Sequence, residues 1–275
     1  MKKFKFIYIS VLFAVCLLFI QSCENVIDGQ LPYEEKLVIK CILEEGKPVD
    51  NIFIAKTLPP MYKENYYSET SPDIIVENAV GYISDSEKSY QLVYVGNSIY
   101  KAVDLVPKEG VAYHLNVTWN GHTATSQTYV PKNPEILSLE IKKGDKEFYG
   151  DIALIKIKGI RNTSYITLTY SSGQFAYYNY SIPIFLGANS SSDTVIVIAN
   201  QINDVELDRY MVTEIVSFPP EFLDFYNSKN IGGNGPDGLF TTSGINVKWN
   251  IKGDGIGLFL GQNKLSFKIE DYLNK

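Results

Sequence analysis

The stretch AYHLNVTWNGHTATSQTYV, residues 112–130, decides the fold. Apolar and polar residues alternate in the part that precedes Asn120-Gly121, and a period of two is the pattern of a half-buried strand. Asn-Gly is the strongest short signal for a two-residue hairpin, because a type I′ turn needs positive φ at both central residues. The stretch therefore predicts two antiparallel strands, 112–119 and 122–130, joined by a tight turn.

Similar alternation recurs along most of the chain, and 13% of its 275 residues are aromatic. Short runs of β-forming residues bounded by Gly, Asn, Asp and Ser predict strands, so the sequence predicts an all-β protein. Gly96-Asn97 predicts a second tight turn. The strand predictions before residue 131 are 36–43, 51–57, 79–84, 90–95, 98–102, 112–119 and 122–130. Seven short strands are typical of an immunoglobulin-like or transthyretin-like β-sandwich over residues 35–131.

Pro131-Lys132-Asn133-Pro134 interrupts this pattern and predicts a domain boundary. A short helix is predicted at 219–228, because proline is tolerated in the first turn of a helix. Further strands are predicted at 135–142, 152–159, 165–171, 175–185, 193–200, 210–217, 245–251 and 255–260. Residues 135–275 are therefore predicted to form a second β-sandwich-like domain with one short helix.

Residues 1–24, MKKFKFIYISVLFAVCLLFIQSCE, have the composition of a lipoprotein signal. Lysines precede a run of about 15 apolar residues, which is shorter than the roughly 20 that a membrane-spanning helix needs. Ser22 supplies the small residue that lipoprotein signal peptidase requires before a cysteine. We expect residues 1–22 to be removed, Cys23 to carry lipid and residues 23–34 to act as a tether. An ordinary secretory signal with an incidental cysteine is the alternative.

Without residues 1–22, the chain holds 22 basic and 31 acidic side chains, a formal net charge of −9. This charge disfavours nucleic-acid binding, which requires a basic surface. It also disfavours electrostatic attachment to a membrane, so contact with the lipid bilayer is expected through lipidated Cys23. Cys41 lies in an apolar run and is predicted to be a buried thiol.

No motif of the sequence predicts catalysis, so we expect no catalytic residue, no metal site, no cofactor and no enzyme activity. Residues 233–238, GNGPDG, match GxGxxG, but no strand is predicted directly before them and a turn-rich loop is the interpretation. His114 and His122 flank the predicted hairpin turn, and no acidic or cysteine partner lies close in sequence to complete a metal site.

Candidate contact residues lie in loops, because loops on rigid β-scaffolds often carry function. The loop 57–73 contains Tyr62, Tyr66 and Tyr67, and exposed tyrosines favour recognition because they bury much area at little entropic cost. A second tyrosine cluster, at 177–180, is expected mainly to pack within a sheet. The glycine-rich loop 230–238 supplies Asn234 and Asp237 as further candidates.

Asp193-Thr194-Val195 resembles the Asp-Ser/Thr-apolar acceptor of O-glycosylation in exported proteins of Bacteroidota. Thr194 follows a polar segment, 187–192, and is therefore a candidate for O-glycosylation. The alternative is that Thr194 simply begins a strand.

Five spaced segments resemble those of a known family. They are Cys23-Glu24, Leu37-Val38-Ile39, Glu77-Asn78-Ala79-Val80, Gly110-Val111-Ala112-Tyr113-His114-Leu115, and the closing stretch 250–261, NIKGDGIGLFLG. On these segments the chain is similar to the two-domain β-lipoproteins of Bacteroidota in the domain-of-unknown-function 4249 family. Members are often encoded beside TonB-dependent outer-membrane transporters. The resemblance implies an accessory or ligand-capturing role and supplies no catalytic residues.

The expected function is an outer-membrane lipoprotein, exposed on the cell surface, that binds an unknown ligand as partner of a TonB-dependent transporter in nutrient uptake. The periplasmic face of that membrane is the open alternative for its location. A structural or adhesive cell-surface β-protein is the alternative function.

Overall fold

The computed structural model describes residues 33–59, 71–142, 151–159, 165–171, 180–185, 194–202, 212–230, 247–268 and 270–273. Strands dominate these residues, which confirms the predicted all-β, sandwich-like fold. The strands are β1 (Leu37–Glu44), β2 (Ile52–Lys56), β3 (Val80–Ser84), β4 (Ser89–Gly96), β5 (Ile99–Ala102), β6 (Ala112–Trp119), β7 (His122–Tyr129), β8 (Glu135–Lys142), β9 (Asp151–Lys158), β10 (Tyr165–Ser171), β11 (Tyr180–Phe185), β12 (Thr194–Ile202), β13 (Val212–Phe218), β14 (Lys252–Gly253) and β15 (Gly255–Lys268). Helix α1 (Pro220–Asn230) follows β13, the one-turn helix α2 (Glu270–Leu273) follows β15, and Pro72–Ile74 forms a 3-10 turn.

The predicted hairpin is present as β6 and β7. Trp119 pairs with His122, and the two turn residues have positive φ, 47° at Asn120 and 84° at Gly121. The second predicted turn is centred on Asn97 and Ser98, one residue later than expected. The reason is an irregularity at the end of β4, where the register with β5 shifts between residues 94 and 96.

Twelve strands form one large curled sheet in the order β11-β10-β13-β15-β1-β2-β5-β4-β3-β6-β7-β14, and β12-β9-β8 form a second sheet. Strand β15 extends well past the predicted 255–260 because it has two partners. Its first part, 255–262, pairs in parallel with β1, and its second part, 263–268, pairs antiparallel with β13. One strand therefore joins partners that precede and follow residues 131–134. The predicted boundary there, with domains 35–131 and 135–275, stays a prediction.

The core lies on the inner face of this curled sheet. Leu37, Ile39, Cys41 and Leu43 alternate along β1 and are buried, as a period of two requires. The buried residues of β6 are Tyr113, Leu115, Val117 and Trp119, and they join the same cluster. The sequence pattern of β6 therefore identified its buried face correctly.

Strand β15 also lies directly against β7, with which it does not pair. The Gly261 N–H donates a hydrogen bond to Thr128 Oγ1 at 2.9 Å, and Asn263 Nδ2 donates one to the Pro131 carbonyl at 2.9 Å. A Cβ added at Gly261 would overlap the Tyr129 carbonyl oxygen, and one added at Gly257 would overlap the Ile39 carbonyl oxygen. Because the backbone of β15 approaches its neighbours this closely, only glycine fits at positions 257 and 261.

Residues 247–251 are not a strand, so the prediction of a strand over 245–251 is wrong for this part of it. There the side chain of Asn250, and not a strand backbone, forms the hydrogen bonds to β15. Asn250 Oδ1 accepts a hydrogen bond from the Phe259 N–H at 2.9 Å, and Asn250 Nδ2 donates one to the Phe259 carbonyl at 2.6 Å. Ser126 Oγ donates to the Asn250 carbonyl at 2.8 Å. Asn250 thus satisfies backbone groups of β15 and ties them to β7.

We expect Gly257→Ala to lower the free energy of unfolding by about 3 kcal/mol or more, because it adds steric overlap to an unfavourable φ of 119°. Gly46→Ala is the matched control: Gly46 also has positive φ, 71°, but open space lies where its Cβ would be. The control should lose only about 1 kcal/mol. Chemical denaturation measures both, and equal losses would contradict the close approach of β15 to β1.

A second prediction concerns the Asn250 amide. Asn250→Asp removes the donor to the Phe259 carbonyl and places a carboxylate beside it, so we expect a loss of about 2 kcal/mol in the free energy of unfolding. Asn78→Asp is the control, because Asn78 only accepts a hydrogen bond, from Trp119 Nε1 at 2.9 Å, and aspartate keeps that role. Thermal and urea unfolding of the two variants should differ accordingly, and similar stability would argue against a structural role for the amide.

Candidate functional site

The outer face of the sheet carries a row of polar side chains that crosses four strands. In the register of the sheet, Lys252 of β14 lies opposite Thr125 of β7, Thr125 opposite Asn116 of β6, and Asn116 opposite Tyr82 of β3. Cross-strand neighbours of this kind lie close enough for their side chains to act together. Four residues from three separate parts of the chain therefore form one continuous row.

A second row lies beside the first. Gln127 of β7 pairs with His114 of β6, and His114 pairs with Ser84 of β3. The two rows line an open depression of about 320 Å³, together with Leu115 and Ser126. We call this feature the outer-face depression.

The outer-face depression is polar but nearly uncharged. Tyr82 is 44% exposed, His114 and Gln127 are exposed, and Asn116 is half-buried. Within the described part of the chain, the side chains of Tyr82, Asn116 and Gln127 have no hydrogen-bond partner. Lys252 is its one formally charged residue, and none of its lining residues is acidic. The arrangement offers donors and acceptors to a ligand.

The outer-face depression offers hydrogen-bonding groups, and its described lining holds no assembled pair of nucleophile and base. His114 has no carboxylate among the lining residues to orient it, and neither Ser84 nor Thr125 is hydrogen-bonded to a base there. Over the described ranges, no group of three or more His, Cys, Asp or Glu side chains is placed to hold a metal ion. The other histidine, His122, stacks on Trp119 with ring centroids 6.1 Å apart.

Most of the sequence-predicted site residues fall outside the described residues. These are Cys23, Tyr62, Tyr66, Tyr67, Asn234 and Asp237, whose roles stay predictions. Thr194 begins strand β12, where its backbone pairs with Lys158 of β9. Its modification also stays a prediction.

The outer-face depression was not predicted from the sequence. The predicted hairpin did contain a signal for it, because alternation places His114 and Asn116 of β6 on the face opposite its core residues. No sequence pattern indicated that Tyr82 and Lys252 would lie beside that face, since each joins it through a strand distant in the chain.

The segments that carried the family resemblance are mainly structural. In 77–80, Asn78 accepts the indole hydrogen bond of Trp119 and the Ala79 N–H donates to the Tyr100 hydroxyl at 3.1 Å. In 110–115, the Tyr113 hydroxyl accepts a hydrogen bond from the Lys108 N–H at 2.9 Å. The closing segment holds β15 against β1 and β7, as described above. His114 and Lys252 are the exposed exceptions that line the outer-face depression.

Fold and site together define an all-β protein with a polar surface on its outer sheet and no assembled catalytic group in that surface. The chain belongs to the family described as Domain of unknown function (DUF4249), whose sequence model matches residues 24–268. The expected family is thereby confirmed. No curated protein matches the chain in sequence.

One solved structure that resembles the chain is a DUF3823 family protein from Parabacteroides merdae ATCC 43184. The likeness covers 68% of this chain and 92% of that chain, at 12% sequence identity and a TM-score of 0.21. A similarity at this level carries no argument about fold or function.

Cys41 is a structural thiol. It is fully enclosed by the core, and burial raises the pKa of the Cys41 thiol from an ordinary value near 9 to about 12. The thiol of the folded protein therefore stays neutral up to about pH 12, whereas the thiol of the unfolded chain ionises above about pH 9. Its contribution to stability is fully present below about pH 9 and is lost as the pH rises from about 9 towards 12.

We therefore expect Cys41 to resist a thiol reagent at pH 8 in the native protein and to react once guanidinium unfolds it. The measurement is the number of thiols titrated in the wild type minus the number in Cys41→Ser, before and after denaturation. The difference should be near zero in the native state and near one after unfolding. A full native difference would contradict burial.

Proposed function

We propose that this protein is a lipid-anchored envelope protein that captures a ligand for a TonB-dependent outer-membrane transporter. The observation that supports ligand capture is the outer-face depression, with exposed amide, hydroxyl and aromatic groups that have no described partner. Convergent polar groups orient a ligand in a pocket, and the lining of the outer-face depression supplies such groups beside the ring of Tyr82. The protein acts by binding and not by catalysis.

The sequence supports the location. A short apolar segment that ends before Cys23 is the pattern of a lipoprotein signal, and each buried CH₂ of an attached lipid contributes about 0.8 kcal/mol to membrane binding. A cysteine with several acyl chains is therefore a firm anchor. Among the described residues, no helix is both long and apolar enough to cross a membrane.

The family resemblance is what supports the transporter partnership and an origin in Bacteroidota. A specific observation favours the second candidate, an adhesive or structural surface protein. Val80, Val93 and Val95 are exposed on β3 and β4, and Val80 is 68% exposed. Exposed apolar groups on neighbouring strands suit contact with another protein.

The anchor is tested with Cys23→Ala in the full chain. We expect this variant to remain as uncleaved precursor or to leave the membrane fraction, because the thiol that carries the lipid is missing. Cys41→Ala is the matched control, since it also removes one thiol but should stay in the membrane fraction. Fractionation and intact mass report both results, and normal processing of Cys23→Ala would contradict lipidation.

The partnership is tested by purifying the tagged full chain from detergent-solubilised outer membrane and identifying what accompanies it. A TonB-dependent transporter in near-stoichiometric amount is the expected result. A tagged, unrelated lipoprotein from the same membrane is the control. If another surface protein or matrix component accompanies the chain instead, the adhesive function replaces the transport function.

A further inference from the structure

We infer that the outer-face depression is a carbohydrate-binding site. This inference rests on the proposed ligand-capturing role and names the class of ligand. It is carried by three features of the depression: an exposed aromatic ring, a surround of neutral hydrogen-bonding groups, and a nearly uncharged lining.

The aromatic ring belongs to Tyr82. Its register neighbours are Asn116 on β6 and Gln91 on β4, so the ring stands between two amide side chains on adjacent strands. A tyrosine ring provides a large, rigid contact area at low entropic cost, and it keeps a polar end for a hydrogen bond. The C–H face of a sugar ring is an apolar surface edged by hydroxyl groups, which suits such a neighbour.

The groups that line the outer-face depression around Tyr82 include amides, hydroxyls and one imidazole. Asn116 and Gln127 each present both donors and an acceptor, and a hydroxyl group of a sugar needs both kinds of partner. Thr125, Ser84 and His114 add further groups of the same type. Because the Asn116 and Gln127 amides have no partner among the described residues, a ligand would not need to break internal hydrogen bonds to reach them.

The charge of the lining residues argues against a cation and against a phosphate-rich ligand. A cation site would need carboxylates, and none lines the outer-face depression. A phosphate-rich ligand would need several basic groups, and Lys252 is the one charged residue present. A neutral sugar, or a sugar with a single carboxylate that reaches Lys252, matches this balance.

The layout of the two rows suits an elongated ligand. Four cross-strand neighbours from Lys252 to Tyr82 span about 15 Å, because adjacent residues in such a row lie about 5 Å apart. The second row lies about 7 Å away, the distance of two residues along a strand. A short oligosaccharide can therefore lie across the strands with one sugar on Tyr82 and others along Asn116 and Thr125.

The test uses the full chain, purified in detergent, on a microarray of neutral and uronic-acid-containing oligosaccharides, followed by calorimetric titration with the strongest binder. Wild type should bind at least one oligosaccharide. Tyr82→Ala should weaken binding about tenfold or more, whereas Tyr82→Phe, which keeps the ring, should stay within about threefold. Asn116→Ala should also weaken binding. Val106→Ala, an exposed residue outside the depression, is the matched control and should bind as wild type does.

Each outcome decides a separate point. Absence of any oligosaccharide binding by wild type overturns the carbohydrate inference, even where the transporter still co-purifies and the proposed function stands. Binding that survives both Tyr82→Ala and Asn116→Ala overturns the placement of the site. Unchanged melting temperatures of the variants show that a loss of binding is not a loss of fold, as expected for side chains on the outer face.

Discussion

The parallel pairing of β1 with β15 is the constraint on which the rest of the described structure depends. It joins residues near 40 to residues near 260, and it is possible only because β15 comes within backbone contact of its neighbours. Gly257 and Gly261 leave no room for a Cβ against the carbonyls of Ile39 and Tyr129. Glycine in a strand interior normally weakens the strand, so its presence here marks a close approach that the fold requires.

The same constraint accounts for the polar residues inside this region. Because β15 meets β7 without pairing with it, backbone groups there need partners other than a neighbouring strand. Asn250, Thr128 and Asn263 supply them from their side chains. Most of the closing segment of the family thus makes structural contacts, whereas its Lys252 lines the outer-face depression.

Because the core covers the inner face of the sheet, the side chains of the outer face are the ones available for binding. The side chains of β3, β6 and β7 alternate, so the same strands that bury Ile83, Leu115 and Ala124 present a polar surface on the other side. The backbone that carries this surface is fixed by the core and by the register of the sheet. Binding groups held on strands in this way need little reorganisation when a ligand arrives.

The sequence by itself determined most of the described strands, the 120–121 hairpin, the buried face of β6, the buried thiol of Cys41 and the family. These depend on local alternation and turn chemistry, which neighbouring residues encode. Only the tertiary structure decided that β15 pairs with β1, and that Tyr82, Asn116, Thr125 and Lys252 form one row. The physical reason is that register between strands distant in sequence is set by long-range packing, and a slip of one residue would turn every side chain to the opposite face.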